Sequence, residues 1–171
     1  MYDKSGSFDL ENAFWRFSLR TYRRPDVPQA CLYLQNGFGV DVNLLLFWVW
    51  SGLEAGIAAD DDLLRKADDH VADWRTNMVL PLRSARSWAK TQPFMADEAC
   101  VRLRDAVKRD ELAAEQIQQA MLFRFSQHLL VNAQVSPQLA RSNALAYLHP
   151  FAIANKDQGS EIISDFLAAI D

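Results

Sequence analysis

Glycine and proline are scarce in this sequence, with six of each in 171 residues. The prolines lie mostly where helices would begin or end, so the composition favours helices over a turn-rich β fold. Cysteine is scarcer still: Cys31 and Cys100 are the two in the chain, and no Cys-x-x-Cys motif is present. Both have apolar neighbours, and we expect reduced, buried thiols, while the sequence leaves a disulfide between them open.

Long hydrophobic runs and an excess of basic residues are also absent. The strongest apolar run, Leu44 to Trp50, falls well short of the ~20 residues that a bilayer crossing needs, and residues 1–7 contain no apolar signal core. The net charge is −4, whereas a nucleic-acid binder usually carries a dense basic stripe. We therefore expect a cytoplasmic protein with no membrane span and no nucleic-acid partner.

Common catalytic motifs are missing as well. The sequence contains no P-loop, no G-x-S-x-G and no H-E-x-x-H. Gly37 and Gly39 match two of the Rossmann glycines in spacing, but they follow no predicted strand. No cofactor is therefore expected, and the sequence favours a binding protein over an enzyme.

The helical periodicity that is present predicts an all-α fold. The length suits one compact helical domain over residues 1–171, with residues 1–7 flexible, and it allows a full core without a metal or disulfide. Turn and cap signals divide the chain into about eight helices. The predicted helices span about residues 9–22, 28–35, 41–52 or 41–56, 60–79, 82–90, 97–131, 136–147 and 160–171, with a polar loop at 155–159.

Several boundaries rest on single residues. Asp9 or Ser7 is predicted to cap the first helix, and Gly37 to end the second. Asp41 is predicted to cap a central helix that is apolar nearly all round. Pro81 is expected to break or kink the chain, and the charged residues 108–111 to divide the long helix after it.

Two aromatic clusters, Phe14–Phe17 and Phe47–Trp50, dominate the first fifty residues. The aromatic arc on the first predicted helix is wide, which indicates burial on more than one side or an interface. Arginine beside aromatic residues is typical of the centre of a protein interface. The predicted interface comprises Trp15, Arg16, Arg20, Arg23, Arg24 and Trp50. The tryptophans could also line a ligand cavity or fill the core, and the apolar neighbours of Trp48 and Trp74 favour the core for those two.

Three residues of the fourth predicted helix, Asp69, His70 and Asp73, are the candidate metal ligands. Asp69 and Asp73 are i, i+4 neighbours, and paired carboxylates on one helical face can hold Mg²⁺. Together with an aromatic cavity, such a pair would suit an isoprenoid or phosphorylated substrate. The alternative is a solvated acidic face near the start of a helix.

A basic stripe follows Pro81. Arg83, Arg86 and Lys90 share one helical face at i, i+3 and i+7, and they could receive a phosphate or an acidic partner. The alternative is the outer surface of an amphipathic helix.

The runs Phe-Trp-Arg-Phe-Ser, Cys-Leu-Tyr-Leu-Gln and Gly-Val-Asp-Val-Asn-Leu-Leu-Leu-Phe lie within residues 8–52. With these runs the segment resembles a small family of bacterial proteins of unknown function. The pieces Trp74-Arg75 and Leu80-Pro81-Leu82-Arg83 are similar to that family too. The resemblance implies a short, helical, cytoplasmic protein, and it implies no activity, cofactor or catalytic residue.

Two hypotheses of different classes follow. The first is a non-enzymatic helical module that binds an unknown protein, a second copy of the chain or an apolar small molecule through its N-terminal aromatic region. The second is a Mg²⁺-assisted enzyme that uses Asp69 and Asp73 as ligands and Arg83 or Arg86 to hold phosphate.

Overall fold

The computed structural model describes residues 6–151, together with residues 164, 166 and 168. Over these residues the protein is all-helical, as predicted, but it has six helices rather than about eight. The helices are α1 (Ala13–Tyr22), α2 (Val27–Phe38), α3 (Val42–Trp50, extended by a π-helical turn at Ser51–Ala55), α4 (Asp61–Trp74, a π-helical segment at Arg75–Val79, then Leu80–Ala89), α5 (Glu98–Ser126) and α6 (Pro137–Leu148). Short 3₁₀ turns lie at Pro93–Ala96 and His149–Phe151.

Two predicted interruptions do not occur. The lower number follows from the one at Pro81 and from the last predicted helix, 160–171, which lies outside the described residues apart from positions 164, 166 and 168. Pro81 lies in the first turn of the segment that follows the π-helical stretch, where the backbone N–H of Leu80 still donates to the carbonyl of Arg75. The missing N–H of proline is tolerated in such a first turn, so α4 runs on. The charged residues 108–111 lie within the continuous helix α5, because Glu111 turns towards arginines of α4.

The helix ends agree with the prediction in part. Asp41 caps α3, as expected, because its side chain accepts the N–H groups of Asn43 and Leu44. Helix α1 begins later than predicted: Asn12 is its cap and accepts the N–H of Trp15, whereas Asp9 and Ser7 precede the helix.

Helix α2 also ends later than predicted. Its left-handed residue is Gly39, with φ of +71°, and Gly37 still lies inside the helix. The long helix α5 ends at Ser126 instead of near Val131. The predicted loop at 155–159 and the predicted last helix lie outside the described residues, apart from helical positions 164, 166 and 168.

Helix α3 forms the centre of the fold. All nine of its residues are buried, as its apolar sequence predicts. Phe14 of α1 packs against Phe47 and Trp50, with ring centroids 5.6 and 5.5 Å apart. Aromatic pairs at these distances add to the stabilisation from burial alone. None of the described helices combines the length and the apolar character that crossing a membrane requires.

Helix α6 packs closely against the end of α3. A side chain at Gly52 would begin only 2.3 Å from the backbone nitrogen of Ala140, so the two backbones nearly touch. Asn143 fixes this approach because its Nδ2 donates to the carbonyls of Trp48 and Ile57, and its Oδ1 accepts the N–H of Ala59. The contact therefore depends on a residue without a side chain at position 52.

Replacing Gly52 with alanine should lower the free energy of unfolding by more than about 2 kcal/mol, because the added methyl group forces α3 and α6 apart. Gly37→Ala is the matched control. A Cβ atom at Gly37 meets nothing within 4 Å, so this variant should gain about 0.5–1 kcal/mol from helix propensity. Urea denaturation of both variants measures the difference. Equal stability of Gly52→Ala and the wild type would contradict the close packing.

Candidate functional site

The carboxylate of Asp41 accepts hydrogen bonds from three directions. Its Oδ1 accepts the backbone N–H groups of Asn43 and Leu44 at 2.9 and 3.4 Å. Its Oδ2 accepts Nε2 of Gln118 at 2.6 Å and Nη1 of Arg75 at 3.3 Å. An ionised carboxylate offers acceptors and no donor, so every group that meets it must donate.

The hydrogen bond to Asp41 also determines the orientation of three buried side-chain amides. We call these residues, Gln118, Asn43 and Gln119, the amide chain. Because Nε2 of Gln118 donates to Asp41, its Oε1 is left to accept Nδ2 of Asn43, at 3.4 Å. Oδ1 of Asn43 then accepts Nε2 of Gln119, at 2.8 Å. Oε1 of Gln119 has no hydrogen-bond partner among the described residues. The chain that starts at a carboxylate therefore ends in an unpartnered acceptor.

The free end of the amide chain lies in the wall of a cavity of about 270 Å³ between α1, α2, α3 and α5. We call it the aromatic cavity. Its apolar wall consists of Trp15, Leu19, Tyr22, Val42 and Leu112. Trp15 and Val42 are buried, whereas the other three are partly exposed and form the rim. The cavity therefore has an apolar floor and an opening to solvent.

Ser18 adds a second unpartnered polar atom to this wall. Its Oγ has no hydrogen-bond partner among the described residues, and the residue is 2% exposed. Two further buried atoms, Nε1 of Trp48 and Oγ of Ser51, share this condition, but neither residue lines the cavity. Buried polar groups are normally hydrogen-bonded; solvent does not reach these two atoms, so they lie behind the surface of the cavity and leave its wall incompletely hydrogen-bonded.

Glu115 is the charged residue of the aromatic cavity. Its Oε1 accepts Nη2 of Arg83 at 2.5 Å. Burial raises the pKa of Glu115, and the nearby carboxylates of Glu111 and Asp41 raise it further. The attraction to Arg83 lowers this pKa but does not offset the increase. The carboxylate therefore lies where an additional positive charge would stabilise it.

A second, more polar cavity of about 380 Å³ lies on the other side of Asp41 and includes Asp68, Arg75 and Tyr147. Arg75 donates to both oxygens of Asp68 and to Asp41, and its hydrogen bonds to Asp68 raise its pKa. The hydroxyl of Tyr147 donates to the Asp41 carbonyl at 3.2 Å. None of the residues that line this cavity has a buried, unpartnered side-chain atom among the described residues, in contrast to Ser18 and Gln119 of the aromatic cavity.

The structure separates the predicted interface into two parts. Trp15 and Trp50 are 7% and 5% exposed, so their side chains lie in the core, and a role for them in an interface stays a prediction. The alternative prediction, that Trp15 lines a cavity, agrees with its position. The four predicted arginines, Arg16, Arg20, Arg23 and Arg24, are exposed. Arg20 pairs with Glu54 within the protein, and the binding of another molecule by these arginines stays a prediction.

The candidate metal ligands point in different directions. Asp69 and Asp73 are exposed on α4, and Asp69 lies 3.7 Å from Arg65. His70 is half-buried against Phe125, with ring centroids 5.5 Å apart, and burial lowers its pKa. Over the part of the chain that the structure describes, no three His, Cys, Asp or Glu side chains are arranged to hold a metal ion together. The geometry therefore lends these three residues no support as a Mg²⁺ site, and that role stays a prediction.

The basic stripe finds an acidic partner inside the protein. Arg83 and Arg86 both bind Glu111 of α5, and Arg83 also binds Glu115. Burial alone would raise the pKa of Glu111, but the two arginines outweigh it and hold the pKa below its ordinary value. Lys90 is exposed beyond this network. Arg83 and Arg86 therefore join α4 to α5, and binding of an external phosphate stays a prediction.

Both cysteines are free thiols, Cys31 buried and Cys100 half-buried. Burial raises the pKa of the Cys31 thiol to about 11, which keeps it protonated and unreactive near neutral pH. Neither cysteine lines the aromatic cavity.

Sequence reasoning missed the polar residues of the site: Ser18, Glu115, Gln118 and Gln119. The sequence contains one signal for the two glutamines, because they interrupt the apolar face of α5 next to Ala120 and Leu122, which are buried. A polar pair within an apolar face can mark buried hydrogen bonding. Their partner Asn43 is more than seventy residues away in sequence, so no local pattern identifies the pairing.

These observations define an all-helical protein with a small, partly open cavity at the end of a buried amide chain. The chain belongs to the family described as a protein of unknown function, DUF2390, whose model matches residues 13–122. The match covers α1 to α4 and most of α5, and thus extends beyond residues 8–52, where the sequence resemblance is clearest. It includes every residue named in the aromatic cavity, while bacterial origin stays a prediction. Comparisons with curated proteins and with solved structures give no match.

Replacing Asp41 with alanine should lower the free energy of unfolding by about 3 kcal/mol, because the cap of α3 is lost while Gln118 and Arg75 lose an acceptor. Asp97→Ala is the matched control: Asp97 is exposed and caps α5 through the N–H of Ala99, and its side chain makes no other hydrogen bond or ion pair with the described residues. It should cost about 1 kcal/mol. Equal losses in thermal or urea unfolding would show that Asp41 is merely a helix cap.

Proposed function

We propose that this protein binds a small, largely apolar or aromatic molecule in the aromatic cavity. The observation that supports the proposal is the pair of buried, unpartnered polar atoms, Oγ of Ser18 and Oε1 of Gln119, in a wall that is otherwise mostly apolar. Binding sites for small molecules typically combine an apolar lining with a few placed polar groups.

The volume of the cavity limits the size of the ligand. About 270 Å³ is at the low end of ligand pockets, and an apolar cavity of about 150 Å³ already holds benzene. The cavity therefore suits a single substituted ring or a fused pair of rings with about ten non-hydrogen atoms.

The position of the cavity also favours a role in binding. Leu19 and Tyr22 of α1 and Leu112 of α5 form the rim, and they are 40%, 40% and 53% exposed. A ligand can therefore enter from solvent without separation of the central helices. Burying apolar side chains of the rim against a ligand contributes roughly 25 cal/mol for each Å² removed from water.

The test is a binding screen with phenol, indole, phenethyl alcohol and phenethylamine. Trp15 lines the cavity, so a bound ring should change the intrinsic fluorescence, and a ligand at about 100 times its Kd should raise stability by about 2.7 kcal/mol. Ser18→Leu fills part of the cavity and should weaken binding at least about tenfold, since a methylene in a filled pocket costs 1–3 kcal/mol.

Ser84→Leu provides the matched control, because Ser84 is exposed on α4 and lies outside the cavity lining. It should leave binding unchanged. If Ser18→Leu does not fold, Leu19→Trp obstructs the rim instead, at a position that is 40% exposed. Binding that survives obstruction of the rim, or the absence of a shift with any of the four probes, would overturn the proposal.

A further inference from the structure

Of the polar groups that line the aromatic cavity, the unpartnered oxygens of Glu115 and Gln119 can only accept, whereas the Gln35 amide and the Tyr22 hydroxyl can donate or accept. Oε1 of Gln119 must accept, because the amide chain fixes its orientation from Asp41. Glu115 uses Oε1 for Arg83, and its Oε2 has no partner among the described residues. The Ser18 hydroxyl can both donate and accept. A ligand that donates several hydrogen bonds therefore complements this wall better than one that accepts them.

The charges around the cavity favour a cationic ligand. Glu111 and Glu115 are matched in number by Arg83 and Arg86. On the far side of the amide chain, Asp41 and Asp68 share the single guanidinium group of Arg75, which leaves one uncompensated negative charge. The pKa of Glu115 is raised because its carboxylate is partly buried with too little positive charge nearby, and the same shortage of positive charge favours a cationic ligand.

The aromatic residues of the wall point to the same class of ligand. The rings of Trp15 and Tyr22 both line the cavity. The face of an aromatic ring attracts a cation, and tryptophan is the strongest of the side chains in this respect. Leu19, Val42 and Leu112 provide the apolar surface for the remainder of the molecule.

We infer that the ligand of the aromatic cavity is a protonated amine on a small aromatic or apolar body. The inference rests on the proposed function and specifies its ligand. The ammonium group donates to Oε2 of Glu115, the oxygen that Arg83 does not occupy. The apolar body lies against Trp15 and the leucines of the rim. A carboxylate or phosphate ligand would instead bring its negative charge against Glu115.

Three probes of similar shape test this inference by calorimetry on the full chain: phenethylamine, phenethyl alcohol and phenylacetate. They carry a positive charge, no charge and a negative charge at neutral pH. The amine should bind at least about tenfold more tightly than the alcohol, because a charge-assisted hydrogen bond is about twice as strong as a neutral one. Phenylacetate should bind most weakly.

Glu115→Gln removes the charge and keeps an acceptor for Arg83. It should reduce the affinity for phenethylamine about tenfold and change the affinity for phenethyl alcohol less than about twofold. Glu98→Gln is the matched control, because Glu98 lies on the same helix, pairs with Arg102 at the surface and is far from the cavity lining. It should change neither affinity.

The outcomes separate this inference from the proposed function. Equal binding of the amine and the alcohol by the wild type would overturn the ammonium assignment and keep a small-molecule cavity. Tightest binding of phenylacetate would also overturn it. Failure of all three probes to bind would overturn the proposed function as well. The comparison within the wild type does not depend on whether Glu115→Gln folds.

Discussion

The hydrogen bonds to the carboxylate of Asp41 are the interaction on which the rest of this structure depends. One oxygen caps the central helix α3, and the other receives Gln118 of α5 and Arg75 of α4. The backbone carbonyl of the same residue receives the hydroxyl of Tyr147 from α6. Four helices therefore meet at one residue that is 11% exposed in its side chain.

The carboxylate of Asp41 also determines which way the side-chain amides of more distant residues point. Amide side chains can point either way, and the hydrogen-bond network decides which end donates. Because Asp41 only accepts, each amide of the chain must donate towards it and accept on its other side. The consequence appears at the aromatic cavity, where Gln119 presents an oxygen rather than an N–H group. The orientation of the last amide in the cavity wall is thus set by a charge three links away.

Much of the fold could be predicted from the sequence because it depends on local rules. The apolar run of α3 and its cap at Asp41 are visible in consecutive residues, and both agree with the structure. The predicted break at Pro81 is wrong, because the backbone hydrogen bonds of the π-helical stretch Arg75–Val79 continue up to Leu80. Such a shift in the hydrogen-bond ladder has no reliable signal in a single sequence.

The site was less predictable because its contacts join distant parts of the chain. Gln119 meets Asn43, and Arg83 meets Glu111 and Glu115, across separations that no helical pattern encodes. The arginine stripe was visible as a charged helical face, but its acidic partners lie on another helix. The aromatic composition of α1 did indicate a special region. Only the packing of α1 on α5 shows that Trp15 lines a cavity instead of an outer surface.

The most direct test of the account is the hydrogen exchange of the side-chain amide protons, followed by NMR in the wild type and in Asp41→Asn. Asparagine must keep its oxygen at the cap of α3, so its NH₂ group faces Gln118 and every amide of the chain has to reverse. The account predicts that the NH₂ protons of Gln119 lose their partner and exchange faster, while those of Asn43 stay protected. Unchanged protection at Gln119 in a folded Asp41→Asn variant would contradict it.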